Sequence, residues 1–512
     1  MKKYFNSLLT LSVTWIINII PMSDKKILFE CPLSFSLMGD NQQVKTKGNA
    51  RAQIDNERLT IMSESGQALV FPIRELVQIE ENEYHLFLPF TFNQQLNLFN
   101  LGFKFEDFTR TLSKCHHEII MQDMLVKESI RKKDVTAEYT WFNEKGEKNR
   151  QGKCELRIFE TTLTVLPEKG DILRLPMGNI IDLQIENYSL TVNMESSEKI
   201  ILSQMGTQLD PFKKILSETL SNLSLKAQSF LQELLPEIDA PTIHNVSLLL
   251  REGKIAKRKD IESISSPVWT GIEKKIEISP LGDEYDFLKP LARQDKIGVG
   301  FKRGLMGGVD NDYFWFLIPI YGVKQGEPGN VAALEAGLIR LPVESGEGEE
   351  NEDGETPEIP AEASSMESGD EPAENNAANA TDDLLKQEGK ATYFFRIISR
   401  EDYALLKDIT KLDEKYDEFI KSFNRCMQEV NFRREPIYLP EKRLDEPRFM
   451  KYRYAIKRLP ELRKLRELFI GRVIHKSQEQ WRKDTLSLLT FNTQSHDDSE
   501  KWEKEKKGER GE

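Results

Sequence analysis

The chain has 512 residues, 39% hydrophobic and 30% charged, with a formal net charge of −13. That length allows three or four domains at about 100–200 residues each, and the composition fits a soluble, polar protein with a disordered part. Four cysteines, Cys31, Cys115, Cys154 and Cys426, stand far apart without a CxxC pair, which argues against a disulfide framework or structural zinc and for reduced thiols.

The acidity is local. Residues 344–385 hold fifteen Asp or Glu and no Lys or Arg, and taking these fifteen negative charges out of −13 leaves +2 for the rest. Any partner argument therefore starts from a near-neutral folded body.

At the N-terminus, Lys2 and Lys3 precede an apolar run from Leu8 to Ile20. A spanning helix needs about 20 apolar residues, so the run is short for one. It resembles the first two regions of a signal peptide, but "IIPMSDKK" offers no A-x-A-like cleavage site. Met22, followed by "SDKKILFECPLSF", reads as a start that enters a first strand. Residues 1–22 are thus expected to be an over-extended start or an apolar leader. The protein is cytoplasmic if translation starts at Met22, and membrane-associated or exported otherwise.

A shift of 104 residues then aligns "LTIMSESGQALVFPIRELVQIEENEYHLFL" (Leu59 to Leu88) with "LTVLPEKGDILRLPMGNIIDLQIENYSLTV" (Leu163 to Val192) without a gap. Identical pairs include Leu59/Leu163, Pro72/Pro176 and Tyr84/Tyr188, and the same offset places Gly102 on Gly206, Phe108 on Phe212 and Leu112 on Leu216. Self-similarity in one register marks a repeated structural unit, and these twelve residues are taken as its structural core. Each unit alternates apolar and polar residues around turn signals, the pattern of short antiparallel strands. Pro72 and Pro176 each end a strand, where a missing N–H breaks the ladder. The period then changes from 2 to 3.6. Phe105, Phe108 and Leu112, like Leu209, Phe212 and Leu216, fall at i, i+3, i+7 on one face of a helix. Glu106 and Asp210 sit in its first turn, where the dipole favours a carboxylate.

A run of short strands closed by one amphipathic helix resembles the pleckstrin-homology-like (PH-like) superfold, including its GRAM-type branch. The element "LGxx[F/L][E/D]xFxxxL" carries the likeness over about residues 26–235. The resemblance implies tandem α+β domains, 23–130 and 131–238, each a small β-barrel or sandwich closed by a C-terminal helix. It implies binding through the open sheet face, the groove beside the helix or the hairpin loops. Phosphoinositide-binding members carry a basic signature in the first hairpin. "SESG" and "PEKG" offer only Lys169.

Residues 239–267 read as a helix and basic linker. A third β-rich domain, possibly PH-like, is expected over 268–432, beginning near Trp269. "DYFWFLIPIYG" gives it a near-continuous buried strand, and "EKYDEFIKSF" gives a closing helix with Tyr416, Phe419 and Phe423. The acidic insertion 344–386 lies within it and has too little apolar surface to fold alone. A basic helical region, 433–490, and a disordered tail, 491–512, complete the chain.

Candidate chemistry is sparse. Cys115-His116-His117 are adjacent helical residues, which point in different directions and cannot converge on a metal. His85, His244, His475 and His496 show no spacing of a metal pair or a triad, and "GFKRGLMGG" lacks the order of a phosphate-binding loop. No catalytic, metal or cofactor site is therefore expected, nor a small-molecule substrate. From Lys442 to Lys483 there are fourteen Lys or Arg against five Asp or Glu, with aromatics interleaved. Lys442, Arg443, Arg448, Lys451, Arg453, Lys457, Arg458, Arg463, Lys464, Arg466, Arg472 and Lys476 are the candidate polyanion-binding residues, because such a pattern can neutralise phosphates and stack bases, or lie on an anionic membrane. Alternatively, Leu462, Leu465, Phe469 and Val473 pack on the body while the charges stay solvated. The expectation is a non-enzymatic scaffold that binds proteins. Nucleic-acid or chromatin association through the basic region, and membrane association through the N-terminal run or anionic lipid, are the alternatives.

Overall fold

The computed structural model describes residues 26–39, 43–64, 66, 68–126, 128–168, 170–279, 281–302, 313–321, 329–337, 391–398, 409–475 and 477–490. Segments 1–22, 344–386 and 491–512 lie outside them, as do Lys169, Lys476, His496 and residues 303–308 of the "GFKRGLMGG" stretch. The fold is α+β with three antiparallel sheets, and the chain divides into two units, Met1–Ile119 and Ile120–Glu512.

In the first unit, β1 (Phe29–Met38), β2 (Val44–Ile54), β3 (Arg58–Ser63), β4 (Ala68–Pro72), β5 (Glu80–Asn82), β6 (His85–Phe90) and β7 (Gln94–Phe99) form one sheet, ordered β4-β3-β2-β1-β7-β6-β5. Helix α1 (Phe105–Asp123) follows. Alternation decides the inner face: Leu33, Phe35 and Leu37 of β1 point in with Leu59 and Ile61 of β3, against Phe105, Phe108 and Leu112 of α1. Burying each such side chain contributes roughly 1.5–3 kcal/mol.

The second unit opens with the same design. Strands β8 (Ile130–Phe142), β9 (Lys148–Phe159), β10 (Thr162–Pro167), β11 (Leu173–Pro176), β12 (Ile180–Glu186), β13 (Ser189–Met194) and β14 (Lys199–Ser203) are ordered β11-β10-β9-β8-β14-β13-β12, and α2 (Leu209–Leu234) packs on them. The 104-residue register holds at single pairs. Phe35 faces Gly48 as Tyr139 faces Gly152, and Ser34 faces Phe99 as Glu138 faces Ser203.

Leu59, Leu163, Phe108, Phe212, Leu112 and Leu216 are buried to within 1%. Gly102 and Gly206 enter the helices with φ of 57° and 54°, a region glycine adopts without Cβ strain. Tyr84 and Tyr188 are not core. They are 77% and 90% exposed, each in a tight turn whose two central residues have positive φ (Glu83 and Tyr84; Asn187 and Tyr188), as the right-handed twist of the flanking strands requires. Pro72 is exposed and Pro176 buried, and each ends its strand.

Two expectations need correction here. Neither seven-stranded sheet closes into a barrel. The chain leaves β4 at Pro72 through a tight turn over Ile73–Glu75, and β5 is three residues long, so these two edges do not pair. "SESG" and "PEKG" are not first-hairpin turns, since they join β3 to β4 and β10 to β11. The true first hairpins, β1–β2 and β8–β9, carry Lys45 and Lys47, and Lys148 and Arg150.

The third sheet is a meander of β15 (Ala256–Lys257), β16 (Gly298–Lys302), β17 (Tyr313–Ile320), β18 (Asn330–Gly337), β19 (Ala391–Arg396) and β20 (Phe469–Ile474) in chain order. That is not the order of the first two sheets, so the expected third PH-like unit does not repeat their topology. Helices α3 (Ala240–Leu249), α4 (Arg258–Glu262), α5 (Ser266–Glu277) and α6 (Gly282–Leu288) precede or interrupt it. Helices α7 (Ile409–Glu429), α8 (Glu435–Tyr438), α9 (Glu441–Leu444), α10 (Met450–Arg458), α11 (Pro460–Leu468) and α12 (Gln478–Thr490) complete it. Phe314, Phe316 and Ile318 face one apolar core with Trp269, Tyr285 and Trp481. Trp315 and Leu317 face another with Phe419, Phe423 and Leu465. Burial on both faces explains the unbroken apolar run of β17. Trp269, expected near the first strand, lies in α5, and the region expected to be helical contributes β20, which pairs with β19. Strands β18 and β19, on either side of the acidic insertion in sequence, pair with each other.

All four cysteines are free and buried. Burial pushes the Cys31 thiol up to about 11 and Cys154 to about 12, and also raises Cys115 and Cys426. A thiol held protonated is a poor nucleophile. The native protein should therefore react with an aromatic disulfide reagent far more slowly than the chain unfolded in guanidinium, and rapid titration of one thiol in the native state would contradict this burial.

Candidate functional site

The basic residues between Lys442 and Arg472 were the first candidates, and the fold occupies many of them. Arg466 is buried, and its guanidinium donates to the carbonyls of Pro436 (2.7 Å), Ile437 (3.3 Å) and Leu439 (3.0 Å) and to Glu441 (2.7 Å). Burial pulls its pKa below the usual arginine value, with Glu441 opposing. Arg463 donates to the carbonyls of Ile456 (3.0 Å) and Lys457 (2.6 Å) at the end of α10, completing a helix terminus that would otherwise lack partners. Lys464 donates to Ser422 of α7 (2.7 Å), and Arg458 lies 3.9 Å from buried Asp123. Arg453 pairs with Asp445, and Arg448 and Arg443 both pair with Glu446 and stack on Phe449. Arg472 stacks on Tyr438 and Lys451 on Tyr452. Lys442 and Lys457 are exposed. Fixing helices α8 to α11 thus uses donors of Arg463, Lys464 and Arg466, while Lys442, Lys451, Arg453 and Lys457 remain exposed.

Cys115 and His116 are buried in α1, and His116 Nε2 lies 3.0 Å from the carbonyl oxygen of Leu76, a structural contact. The third sheet and its helices do bring together a line of groups that sequence spacing concealed. Glu284 lies 3.3 Å from His475 Nδ1, and His475 Nε2 lies 2.8 Å from Thr392 Oγ1. Trp481 Nε1 donates to the same Thr392 oxygen at 3.1 Å. Both ring nitrogens of His475 thus have a partner, Glu284 on one side and Thr392 on the other. The order is acid, base, hydroxyl. Thr392 is 0% exposed, however, so no substrate carbonyl reaches its oxygen and the arrangement fastens α12 to β19. Among the described residues, no group of three His, Cys, Asp or Glu converges as a metal site, and no helix is long and apolar enough to cross a membrane.

Two open features lie in the second seven-stranded domain. A groove of about 360 Å³ runs beside α2, lined by Arg131, Glu160, Thr219, Leu223, Leu225 and Lys226. Of its two cations, Arg131 is offset by Glu160 at 3.7 Å, and Lys226 is the second. The other feature is a sheet edge. Edge strand β11 is fully buried, and its Arg174 donates to the carbonyls of Met124 (3.2 Å) and Glu429. The opposite edge, β12, is covered only at its start, where Arg251 donates to the carbonyl of Ile180 (3.1 Å). From Ile181 to Glu186 it is open. Among the described residues it pairs with β13 alone, and Ile181 and Ile185 are 63% and 38% exposed. Leu183 and Ile185 face inward Val192 and Leu190 across the pair, and Ile181 sits at a register shift between Ile180 and Asp182, so from Asp182 to Glu186 the edge presents backbone donors and acceptors, beside two carboxylates, that no further strand among the described residues covers. The apolar alternation of "IIDLQIE" was visible in the sequence, but the freedom of that edge was not.

No protein-family model matches the chain, and no curated protein compared with it is similar to it.

Proposed function

We propose that the chain is a non-enzymatic interaction scaffold with tandem PH-like domains, and that its second domain takes an extended peptide as an added strand along β12. The observation that carries this reading is the contrast between the two edges of one sheet: β11 buried, β12 open with Ile181 and Ile185 exposed along it. Strand addition supplies main-chain hydrogen bonds for affinity, and alternate side chains, here against an isoleucine-bearing edge, for specificity. The groove beside α2 is a second concavity of the same domain, large enough for one or two side chains. The engagement of Arg458, Arg463 and Arg466 within the fold is the reason the proposal does not extend to nucleic acid or lipid.

The test uses peptides selected from a random library on the immobilised full chain. Ile181→Lys with Ile185→Lys places charge on the edge and touches little of the core. We expect affinity for the selected peptides to fall at least about tenfold, the loss of about 1.4 kcal/mol, with the thermal transition nearly unchanged. Equal binding by the double variant would remove β12 from the reading.

A further inference from the structure

The internal repeat is its own control. Positions 104 apart share backbone and register in the two seven-stranded sheets, so a residue type present in only one repeat is not demanded by the fold. On the outward side of β13, β14 and the turn that follows, the second repeat carries Ser189, Thr191, Ser203 and Thr207. The first repeat carries His85, Phe87, Phe99 and Phe103 at the same positions. Inward positions stay apolar in both, with Leu86, Leu88 and Leu98 in one and Leu190, Val192 and Leu202 in the other. The aromatic substitution is therefore confined to the open face.

The rings are close enough to act together. The His85 ring centroid lies 6.4 Å from that of Phe87 and 6.0 Å from that of Phe99. Phe103 is 94% exposed, while the Tyr84 ring, 77% exposed, packs 5.5 Å from that of inner Phe105 and has Tyr188 as its counterpart, so it is not part of this face. The rim changes with the face. Glu80, Glu81 and Glu83 of the first repeat correspond to Gln184, Ile185 and Asn187 of the second. All three carboxylates are exposed; Glu80 faces Phe87 across the β5–β6 pair, whereas Glu81 faces inward Leu86 and lies on the other side of the sheet. Most cations on this sheet stand elsewhere: Lys45, Lys47 and Arg51 are on β2, two strands from β7, Arg58 is on β3, and Arg51 is paired with Glu30, while Lys104, next to Phe103, donates to the carbonyl of Glu30 at 3.3 Å.

We propose that this face of the first unit binds a lysine- or arginine-rich extended segment of a partner protein. Aromatic rings present a negative face to a cation, and a flat guanidinium also stacks on them. The carboxylates of Glu80 and Glu83 add charge complementarity, which steers encounter and selects against acidic partners. The same rings would suit nucleobases, but a polynucleotide also needs cations for its phosphates, and the rim beside these rings is acidic. This surface is independent of β12.

The experiment titrates the full chain against a fluorescein-labelled peptide of alternating arginine and glycine, read by fluorescence anisotropy at low and high salt. A glutamate–glycine peptide and a labelled single-stranded oligonucleotide run in parallel. One variant combines His85→Ser, Phe87→Thr and Phe99→Ser, the residues with which the second repeat already folds; the other combines Glu80→Gln and Glu83→Asn. We expect saturable binding of the arginine peptide only. It should weaken about tenfold or more in the aromatic variant and become less salt-sensitive in the carboxylate variant, with unchanged thermal unfolding in both. Absence of binding, undiminished binding by the aromatic variant, or tighter binding of the oligonucleotide would each overturn the proposal.

Discussion

Replacing Arg466 with methionine should destabilise the third domain by about 3–5 kcal/mol, the usual cost of removing one member of a buried charged network. The guanidinium satisfies three carbonyls in the segment Pro436–Leu439 and holds Glu441. A thioether of similar length fills the space but donates nothing, and each carbonyl left unpaired costs roughly 1–3 kcal/mol. Because the chain has more than one domain, a single melting temperature is a poor measure. Amide hydrogen exchange is the proper readout, and protection should fall in α8, α11 and β20 while β1 to β7 are unchanged. Lys442→Ala, at an exposed position of the same basic region, should stay within about 0.5 kcal/mol. Equal behaviour of the two variants would mean that Arg466 is no more structural than its neighbours.

Phe108→Ala and Phe212→Ala should each cost about 3–5 kcal/mol, as large-to-small changes at fully buried aromatic positions do. Both side chains are 0% exposed at equivalent points of α1 and α2. The losses should be local in different places. Phe108→Ala should open β1 to β7 to exchange, and Phe212→Ala should open β8 to β14. Tyr84→Ala and Tyr188→Ala, conspicuous in the alignment but exposed, should barely change stability. If the tyrosine variants unfolded the domains and the phenylalanine variants did not, the repeat would have been assigned its core wrongly.

Much of the repeat was legible because it is written in local patterns. Leu59 and Ile61 alternate with polar residues, Phe105, Phe108 and Leu112 return at helical spacing, and Gly102 marks the point where the period changes. Tyr84 and Tyr188 were misread because identity between repeats records a shared need, and here the need is a turn with positive φ rather than a buried ring. Trp269 was misread because a large apolar residue suits a buried helix as well as a strand. β20 was missed because "FIGRVI" sits in a basic stretch whose helical neighbours dominate the periodicity.

The functional candidates separate along the same line. The sequence by itself determined that two segments share one design in a 104-residue register, that the negative charge is concentrated in one segment, and which residues carry cations or aromatic rings. Those are properties of order along a chain. Only the tertiary structure decided which cations are available, because the partners of Arg458 and Lys464 are Asp123 and Ser422, far away in sequence. It decided that β11 is covered and β12 open, since an edge is free or filled according to what packs against it. It also placed His85, Phe87 and Phe99 on one face, because neighbouring strands bring rings together that lie up to fourteen residues apart in the chain. Composition sets the supply of charged and aromatic groups, and long-range packing sets which of them remain exposed to a partner.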